Sequence, residues 1–555
     1  MSIRRPRVPA ALVGTWVALA ALLALTGCVA IPTSGPVVRG DVTVGDTRDI
    51  DVLAEGPQDG ADPLQIVDGF LLAGGVGFPD EFATAREYLT GQLRTSWQPL
   101  AGVLVAGTPE VVQPTENTVT FDLPVVAYVD ADGRYTEAAE GARDSRTFEL
   151  RKDRAGEWRI SSAPDGLILA QTEFSRTFRS SPVYFLSADG AYLVPETRWF
   201  PADNLQTSVA RALVDGPSPW LRDAVTTAVP EAVQLKPLAV EIDAKGTASV
   251  GLEPPSLVLP ADRDALLAQF EASLGAVPGV RNVTVTTGSV ILDGSPDAIA
   301  RCSATAGPVE MLQAGSVVLL DGDGVQPVDG LEPVGKDASH AARDESGDVR
   351  VVLTPDGLTT VAPTGETPQL LVPGAGLVAP SVDRHGWAWT AGVSGIVAAR
   401  VGSDALPVAA DWLVGRTVVA LAVACDGARV AVVSRAVDGV AVDLAAVVRD
   451  ASGAPQVLGA PVRVGAPILD AQDVDWIDES TLAVLGRSTG GTTVHRVPVS
   501  GLTVTLPEVP DVVAMAAGTT IYITTADGLL RQLVGPSSWT TVAGVEGVRD
   551  PAFPG

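Results

Sequence analysis

Cysteine and histidine are scarce in this chain, which contains three of each among 555 residues. The histidines (His340, His385 and His495) stand far apart, and none has a second ligand type at the short spacing that zinc sites use. The sequence also lacks the motifs of metalloproteases, nucleophile elbows, P-loops and dinucleotide-binding turns. We therefore predict no catalytic residue and no metal site, and we expect that the protein is not an enzyme.

Positive charge is scarce as well. Lys and Arg number 38 against 66 Asp and Glu, which gives a formal net charge of −28. A nucleic-acid partner requires a basic surface that displaces counterions from phosphates, so we predict no binding to nucleic acid. The same excess of negative charge argues against adhesion of the folded protein to anionic lipid headgroups.

Long apolar runs are limited to one, near the start of the sequence. Arg4, Arg5 and Arg7 precede an uncharged segment rich in Ala and Leu at residues 9–26. A basic start, an apolar centre and small residues at the end are typical of a secretory signal. Because the apolar segment is shorter than the ~20 residues of a membrane-spanning helix, we assign residues 1–27 to a cleaved signal peptide.

The signal ends in Leu25-Thr26-Gly27-Cys28, which resembles the lipobox of bacterial lipoproteins. The resemblance implies cleavage between Gly27 and Cys28 and a diacylglyceryl group on Cys28, with an N-acyl chain such as palmitate as a further modification. Two acyl chains hold a protein stably on a bilayer, whereas one is marginal. We expect a lipid-anchored protein on the extracytoplasmic face of the cell membrane, with no cofactor besides this lipid. An ordinary secretory signal with a chance cysteine is the alternative.

Two cysteines remain once Cys28 carries lipid. In an exported protein, Cys302 and Cys425 could form one disulfide. Two buried thiols are the alternative, and the sequence alone does not decide between them.

Composition and periodicity divide the rest of the chain into a tether and three domains. Residues 28–58 are rich in Pro, Gly and Asp without periodicity, which is typical of a tether. Residues 59–175 open with two helical patterns, the second from Pro79 through Leu93, and continue with strands, which predicts an α+β domain. The order of elements resembles the cone-shaped nuclear-transport-factor-2-like fold, and we expect side chains to fill its interior.

The second domain, residues 182–294, is also predicted to be α+β. A hairpin is expected around Asp189-Gly190, followed by a helix that Asp203 caps. The region resembles the GerMN domain, a non-catalytic extracytoplasmic module named from spore-germination proteins. The blocks that carry the resemblance include VPETR at 194–198, ALVDGP at 212–217 and GVRNV at 279–283.

The third domain, residues 308–555, consists of short Val/Leu/Ala strands separated by Gly, Asp and Pro. Blocks that read as strand, Asp/Gly turn and apolar strand recur about every 40–50 residues, the period of a four-stranded propeller blade. We therefore predict an all-β propeller of five or six blades. A pair of β-sandwiches is the alternative, but it offers no reason for this spacing.

Two acidic stretches of the third domain could indicate chemistry. Asp321-Gly322-Asp323-Gly324 begins like a calcium loop, but the next residues supply no further oxygen ligands, so we predict a hairpin turn. Asp473, Asp475, Asp478 and Glu479 surround Trp476, and paired carboxylates can hydrolyse glycosides. Because Trp476 aligns with apolar residues of the other blocks, we interpret these acids as turn caps.

Lipobox, cone-like domain, GerMN domain and propeller, in this order, resemble the actinobacterial LpqB lipoprotein family. The closing DPAFPG and the PSVD block at 380–383 also fit that family. The resemblance implies an accessory lipoprotein that binds and modulates the extracytoplasmic domain of the sensor histidine kinase MtrB of the MtrA–MtrB two-component system. Cell-wall and division control would follow from that contact. The alternative is an envelope protein that binds or hydrolyses cell-wall glycans.

Overall fold

The computed structural model describes residues 54–112, 115–302, 307–322 and 324–554. The predicted signal, Gly27 and Cys28, and the tether as far as residue 53 lie outside the described residues. Within those described ranges, no helix is both long and apolar enough to cross a membrane. The predicted fold class is confirmed, since two α+β domains precede a β-propeller.

The first domain packs short helices against a mainly antiparallel sheet. Its longest helix begins at Asp62, whose carboxylate accepts the N–H of Gln65 (3.0 Å) while the Gln65 side chain accepts the N–H of Asp62 (2.9 Å). This reciprocal cap, with Pro63 in the first turn, fixes the helix start. The elements are α1 (Pro63–Gly75), α2 (Ala83–Glu87), α3 (Leu93–Ser96), a 3₁₀ turn (Pro99–Ala101), β1 (Gly102–Ala106), β2 (Glu110–Val112), β3 (Thr118–Asp130), β4 (Tyr135–Glu137), β5 (Arg143–Lys152), β6 (Trp158–Ser162), β7 (Leu167–Ala170) and α4 (Gln171–Thr177).

Strand β3 organises the sheet, whose order is β6-β5-β3-β1-β7. Its first half pairs with β5 and its second half with β1, both antiparallel, and β7 joins β1 in parallel. Alternate residues of β3 are buried, so one face of the sheet covers α1. The ring of Phe70 in α1 lies 4.9 Å from that of Trp97 and 6.2 Å from that of Phe148. Aromatic side chains thus fill the interior, as predicted.

The single helix predicted from Pro79 through Leu93 is wrong, because the chain between them joins the sheet. Phe82 has a left-handed backbone (φ 62°), and α2 starts only after it. Beyond α2, the N–H of Thr90 donates to the carbonyl of Ile160 in β6 (2.9 Å). Pairing with a strand distant in sequence therefore overrides the helical pattern, and two short helices form instead.

The second domain contains two small sheets, in the orders β10-β8-β9-β16 and β11-β13-β14-β15, with β12 paired to β13. The predicted hairpin at Asp189-Gly190 joins β8 to β9, and Gly190 adopts the left-handed conformation (φ 72°) that this turn needs. The predicted helix cap is wrong by one residue, since Asn204 rather than Asp203 precedes α5. The elements are β8 (Phe178–Ser187), β9 (Tyr192–Pro201), α5 (Leu205–Asp215), a 3₁₀ turn (Arg222–Ala224), β10 (Val225–Thr226), β11 (Gln234–Leu235), β12 (Glu241–Ile242), β13 (Thr247–Glu253), α6 (Pro255–Val258), α7 (Arg263–Gly275), β14 (Asn282–Thr287), β15 (Val290–Ile291), a 3₁₀ turn (Pro296–Ala298) and β16 (Ala300–Arg301).

The third domain is a propeller in which the described residues form six antiparallel sheets, one for each blade. The first blade is built from β17 (Glu310–Gln313), β18 (Ser316–Asp321), β19 (Gly324–Pro327) and the last strand of the chain, β41 (Val548–Ala552). The remaining strands, blade by blade, are β20 (Ser339–Arg343), β21 (Arg350–Thr354), β22 (Gly357–Thr360), β23 (Leu370–Pro373); β24 (Ser381–Val382), β25 (Ala388–Gly392), β26 (Gly395–Ala399), β27 (Leu406–Pro407), with a 3₁₀ turn (Asp411–Leu413) after it; β28 (Thr417–Val423), β29 (Arg429–Ala436), β30 (Gly439–Arg449), β31 (Pro455–Leu458), β32 (Val462–Val464); β33 (Asp470–Asp478), β34 (Thr481–Arg487), β35 (Thr492–Pro498), β36 (Val504–Thr505); and β37 (Val512–Ala517), β38 (Ile521–Thr525), β39 (Leu529–Val534), β40 (Ser538–Glu546).

Strand β41 closes the propeller. It pairs antiparallel with β17, so the first blade contains strands from both ends of the domain. The innermost strands β41, β20, β24, β28, β33 and β37 contact one another in a ring around the axis. Closure of this kind leaves the first and last blades without an open edge between them.

Candidate functional site

The innermost strands of the blades enclose a channel with a cavity of about 90 Å³. Ionisable groups from three strands line it: Asp473 and Asp475 from β33, Asp550 from β41 and His340 from β20. The two acids of β33 share one side of the strand because alternate residues point the same way. Trp476 follows Asp475, and its side chain is buried on the opposite side of β33.

Burial raises the pKa of both β33 acids. The pKa of Asp473 rises to about 7, because burial and the neighbouring negative charge of Asp475 disfavour its ionised form. Burial raises the pKa of Asp475 to about 6, although its carboxylate accepts the backbone N–H groups of Trp476 and Ala517 (2.8 Å each). The channel therefore holds carboxyl groups that exchange protons near neutral pH.

The channel is too small for the sugar substrate of a glycoside hydrolase. Ligand pockets usually measure ~300–1,000 Å³, whereas about 90 Å³ corresponds to roughly three water molecules. The interpretation of Asp473 and Asp475 as turn caps is wrong, since both lie inside β33 and line the channel. Asp478 does cap its turn and accepts the N–H of Ser480 (2.8 Å).

A polar cluster joins the second domain to the propeller. Glu479, in the turn between β33 and β34, accepts hydrogen bonds from the hydroxyl of Tyr184 in β8 (2.5 Å) and from the guanidinium of Arg301 in β16 (2.5 Å). Beside this ion pair, Cys302 and Cys425 form a disulfide, with their Cα atoms 6.1 Å apart. The bond links the end of the second domain to the turn between β28 and β29.

Arg429 lies within the same interface and is almost completely buried. Its guanidinium donates to one carboxylate oxygen of Asp426 (2.6 and 2.8 Å) and to the carbonyl of Pro195 in β9 (3.3 Å). The guanidinium also lies 5.0 Å from the ring centre of Trp476. Because a buried charge requires a partner, these contacts hold β9 firmly against the fourth blade.

His385 lies at the edge of this interface, beside a cavity of about 100 Å³. Burial, followed by the positive charges of Arg449 and Arg384, lowers the pKa of His385, which favours its neutral form. Arg384 donates to Asp189 in the β8–β9 turn (2.7 Å). Burial opposes ionisation of Asp189, but hydrogen bonds from Arg384 and Ser187 hold its pKa well below the usual range. The histidine is therefore part of the junction.

The first domain is attached through Trp199 and Glu137. The indole N–H of Trp199 in β9 donates to the carbonyl of Ser500 in the propeller (2.9 Å), and its ring lies 4.8 Å from that of Phe174 in α4. Glu137 in β4 accepts the hydroxyl (2.5 Å) and the N–H (3.0 Å) of Thr503. All three domains meet at Trp199, and the described residues form one compact unit.

The first domain also carries an open cleft of about 1020 Å³. The basic side chains that line it, called the basic groove below, are Arg94, Arg151, Lys152, Arg154 and Arg159. None of them forms an ion pair with another residue in the part of the chain that the structure describes. The predictions from sequence do not include this groove, although the RKDR run at 151–154 was the available signal.

Comparison with known protein families gives a match in each of the three domains. The family described as "Lipoprotein LpqB, N-terminal domain" matches residues 56–175, and "Sporulation and spore germination" matches residues 182–289. "Lipoprotein LpqB beta-propeller domain" matches residues 315–554. The chain belongs to the LpqB lipoprotein family.

Individual LpqB lipoproteins align with between 38% and 97% of the chain. Lipoprotein LpqB of Rhodococcus opacus is 27% identical over 97% of this chain and 97% of its own length. The Streptomyces coelicolor protein is 26% identical over 85% of this chain and 86% of its own. The match to LpqB of Cutibacterium acnes is 31% identical but spans 49% of this chain and 46% of that relative.

The similarity of this chain to solved structures is low. The crystal structure of a β-propeller domain from Myceliophteria thermophila covers 44% of this chain and 90% of its own, at 9% identity and a TM-score of 0.28. Similarity at this level carries no argument about fold or function.

Two further sites predicted from the sequence of this LpqB family member are the lipidation site and the acidic turn of the propeller. Cys28 and Gly27 lie outside the described residues. Asp321 and Gly324 face each other across the β18–β19 hairpin, the turn predicted there. Among residues with a described position, no group of three or more His, Cys, Asp or Glu is arranged to hold a metal ion.

Proposed function

We propose that the protein is a lipid-anchored accessory protein on the extracytoplasmic face of the cell membrane that binds an MtrB-like sensor histidine kinase. The contact is with the kinase's extracytoplasmic domain, and it modulates the two-component system and hence cell-wall and division control. The protein acts by binding, without catalysis. The observation that carries the proposal is the LpqB match, which includes domains near both ends of the chain.

The fixed domain junctions support a binding role. Trp199, Arg429 and the Cys302–Cys425 disulfide hold the three domains in one body. A body that is already ordered loses little conformational freedom when a partner binds, which favours affinity. The channel volume does not favour the alternative of glycan hydrolysis.

We assign the kinase contact to the propeller face remote from the second domain. The second domain contacts turns between the first and second strands of blades, such as those of Asp426 and Glu479. Val393 and Val437 lie in turns between the second and third strands of adjacent blades, and both are fully exposed. Because successive antiparallel strands reverse direction, these turns lie on the opposite face.

A third valine extends this apolar surface. Val414 precedes β28 in the connection between blades and is 84% exposed. Arg416, two residues later, forms an ion pair with Asp438 (2.8 Å), which holds this connection against the turn that contains Val437. Exposed apolar residues that cluster on one face are typical of interaction sites. Val393, Val414 and Val437 are called the valine face below.

Isothermal titration calorimetry with the purified sensor domain tests the proposal. The protein without its signal should bind the domain, and the variant V393D/V437D should bind at least ~10-fold more weakly, as expected when apolar anchors of an interface are lost. The matched control is L238D/V534D, which makes the same change in charge at exposed apolar positions elsewhere. Absence of binding by the unaltered protein contradicts the function. An equal loss in both variants contradicts the assigned face.

A further inference from the structure

The basic groove concentrates positive charge on a strongly acidic protein. Arg94 comes from α3, Arg151 and Lys152 from the end of β5, Arg154 from the β5–β6 turn and Arg159 from β6. The acids that also line the cleft are fewer. Of these, Asp153 uses one carboxylate oxygen to accept two backbone N–H groups of its own turn (2.8 and 3.1 Å).

Negative charge elsewhere on the protein does not cancel the positive charge of the basic groove. At physiological salt, charges further apart than ~8 Å are largely screened from each other. The net charge of −28 therefore disfavours contact between most of the protein surface and an anionic membrane. A basic groove of this size can still bind such a membrane. Such a body would approach the membrane in one orientation.

The chain enters the folded body at this groove. Pro57 lines the cleft, and the carbonyl of Glu55 accepts the Tyr88 hydroxyl (2.8 Å), which fixes the first described residues beside it. Residues 29–53 lead from here to Cys28, and even fully extended they span no more than ~90 Å. A lipid on Cys28 would thus keep the groove near the bilayer, where weak contacts become effective.

We propose that the basic groove binds the phosphate groups of anionic lipid headgroups and so orients the body on the membrane. The inference rests on the proposed function in one respect, the lipid anchor at Cys28. Arginine and lysine side chains without a carboxylate partner are suited to lipid phosphates. Acidic residues of the tether, Asp46, Asp49 and Asp51, are the competing occupants.

Vesicle flotation tests the groove without the anchor. The chain from residue 29 onward keeps the tether and the whole compact unit. It should float with vesicles of phosphatidylcholine that contain phosphatidylglycerol, less so at high salt, and should not float with phosphatidylcholine alone. Each basic residue near a membrane surface contributes about fivefold in affinity. The variant R94E/R154E should therefore bind about 25-fold more weakly or worse.

The matched control is R211E/R487E, which makes the same change in net charge at exposed arginines of the second domain and the propeller. It should bind like the unaltered protein, and all variants should keep the same thermal unfolding midpoint because the replaced residues are exposed. Equal loss in both variants, or full binding by R94E/R154E, overturns the proposal. Binding that appears only when Asp46, Asp49 and Asp51 are changed to Asn also overturns it, in favour of the tether.

Failure of this proposal can be distinguished from failure of the proposed function. R94E/R154E should bind the kinase sensor domain in calorimetry as the unaltered protein does. If the protein binds the kinase domain but not the vesicles, only the proposal for the groove fails. If the protein binds the vesicles but not the kinase domain, only the proposed function fails.

Discussion

At the scale of single residues, Asp473 lies in surroundings that disfavour the ionised form of its carboxyl group. Burial and the nearby carboxylate of Asp475 raise its pKa to about 7. Arg429 is the opposite case, since its buried charge is matched by Asp426 at 2.6 Å. The two residues indicate different roles, because a matched buried pair fixes a junction whereas an unmatched acid makes stability depend on pH.

Replacement of Asp473 by Asn should change the pH dependence of stability. Since the folded-state pKa lies above that of the unfolded chain, ionisation destabilises the fold, and stability falls as pH rises from about 4 through 7. D473N should be more stable than the unaltered protein at pH 8, by roughly 2 kcal/mol after allowance for water in the channel, and nearly equal at pH 4. Urea unfolding across this range measures the difference.

The control for this prediction is D356N, which removes an exposed aspartate from the β21–β22 turn. It should leave the slope of stability against pH unchanged. A D473N variant with the slope of the unaltered protein would show that Asp473 ionises freely in the channel.

At the scale of elements, local signals predict local structure. The Asp189-Gly190 turn and the recurring blade blocks were predictable because a hairpin depends on residues a few positions apart. The helix from Pro79 was not predictable as two short helices, because the break comes from pairing near Ile160. The closing strand β41 was missed for the same reason, since its partner β17 lies more than 200 residues earlier.

The disulfide is the element-scale feature that is easiest to test. Cys302 and Cys425 close a loop of 123 residues, and disulfides across long loops stabilise by about 2–5 kcal/mol. The variant C302S/C425S should lose this amount in urea unfolding. The unaltered protein, unfolded without reductant and treated with iodoacetamide, should show no alkylation at either position. Alkylation of both in the exported protein would instead establish two free thiols.

At the scale of the whole molecule, composition and net charge do not predict local features of the structure. The net charge disfavours nucleic acid as a partner, but it gives no indication of the basic groove, whose residues come from α3, β5 and β6. Likewise, Asp473 and Asp475 were recognisable as acids from the sequence, but only the closed ring of blades places them in a channel. The valine face was missed because three separate valines show no pattern until adjacent blades bring their turns to one side.

The central claim, that the protein acts by contact with a sensor kinase, is tested most directly in intact cells. A photoreactive amino acid in place of Val437 would report what the valine face touches, and the same substitution at Leu238 in the second domain is the control. We predict that irradiation and mass spectrometry identify cross-links from position 437, and not from 238, to the extracytoplasmic domain of an MtrB-like kinase. Cross-links from position 437 to other envelope components, with none to any sensor kinase, would contradict the account.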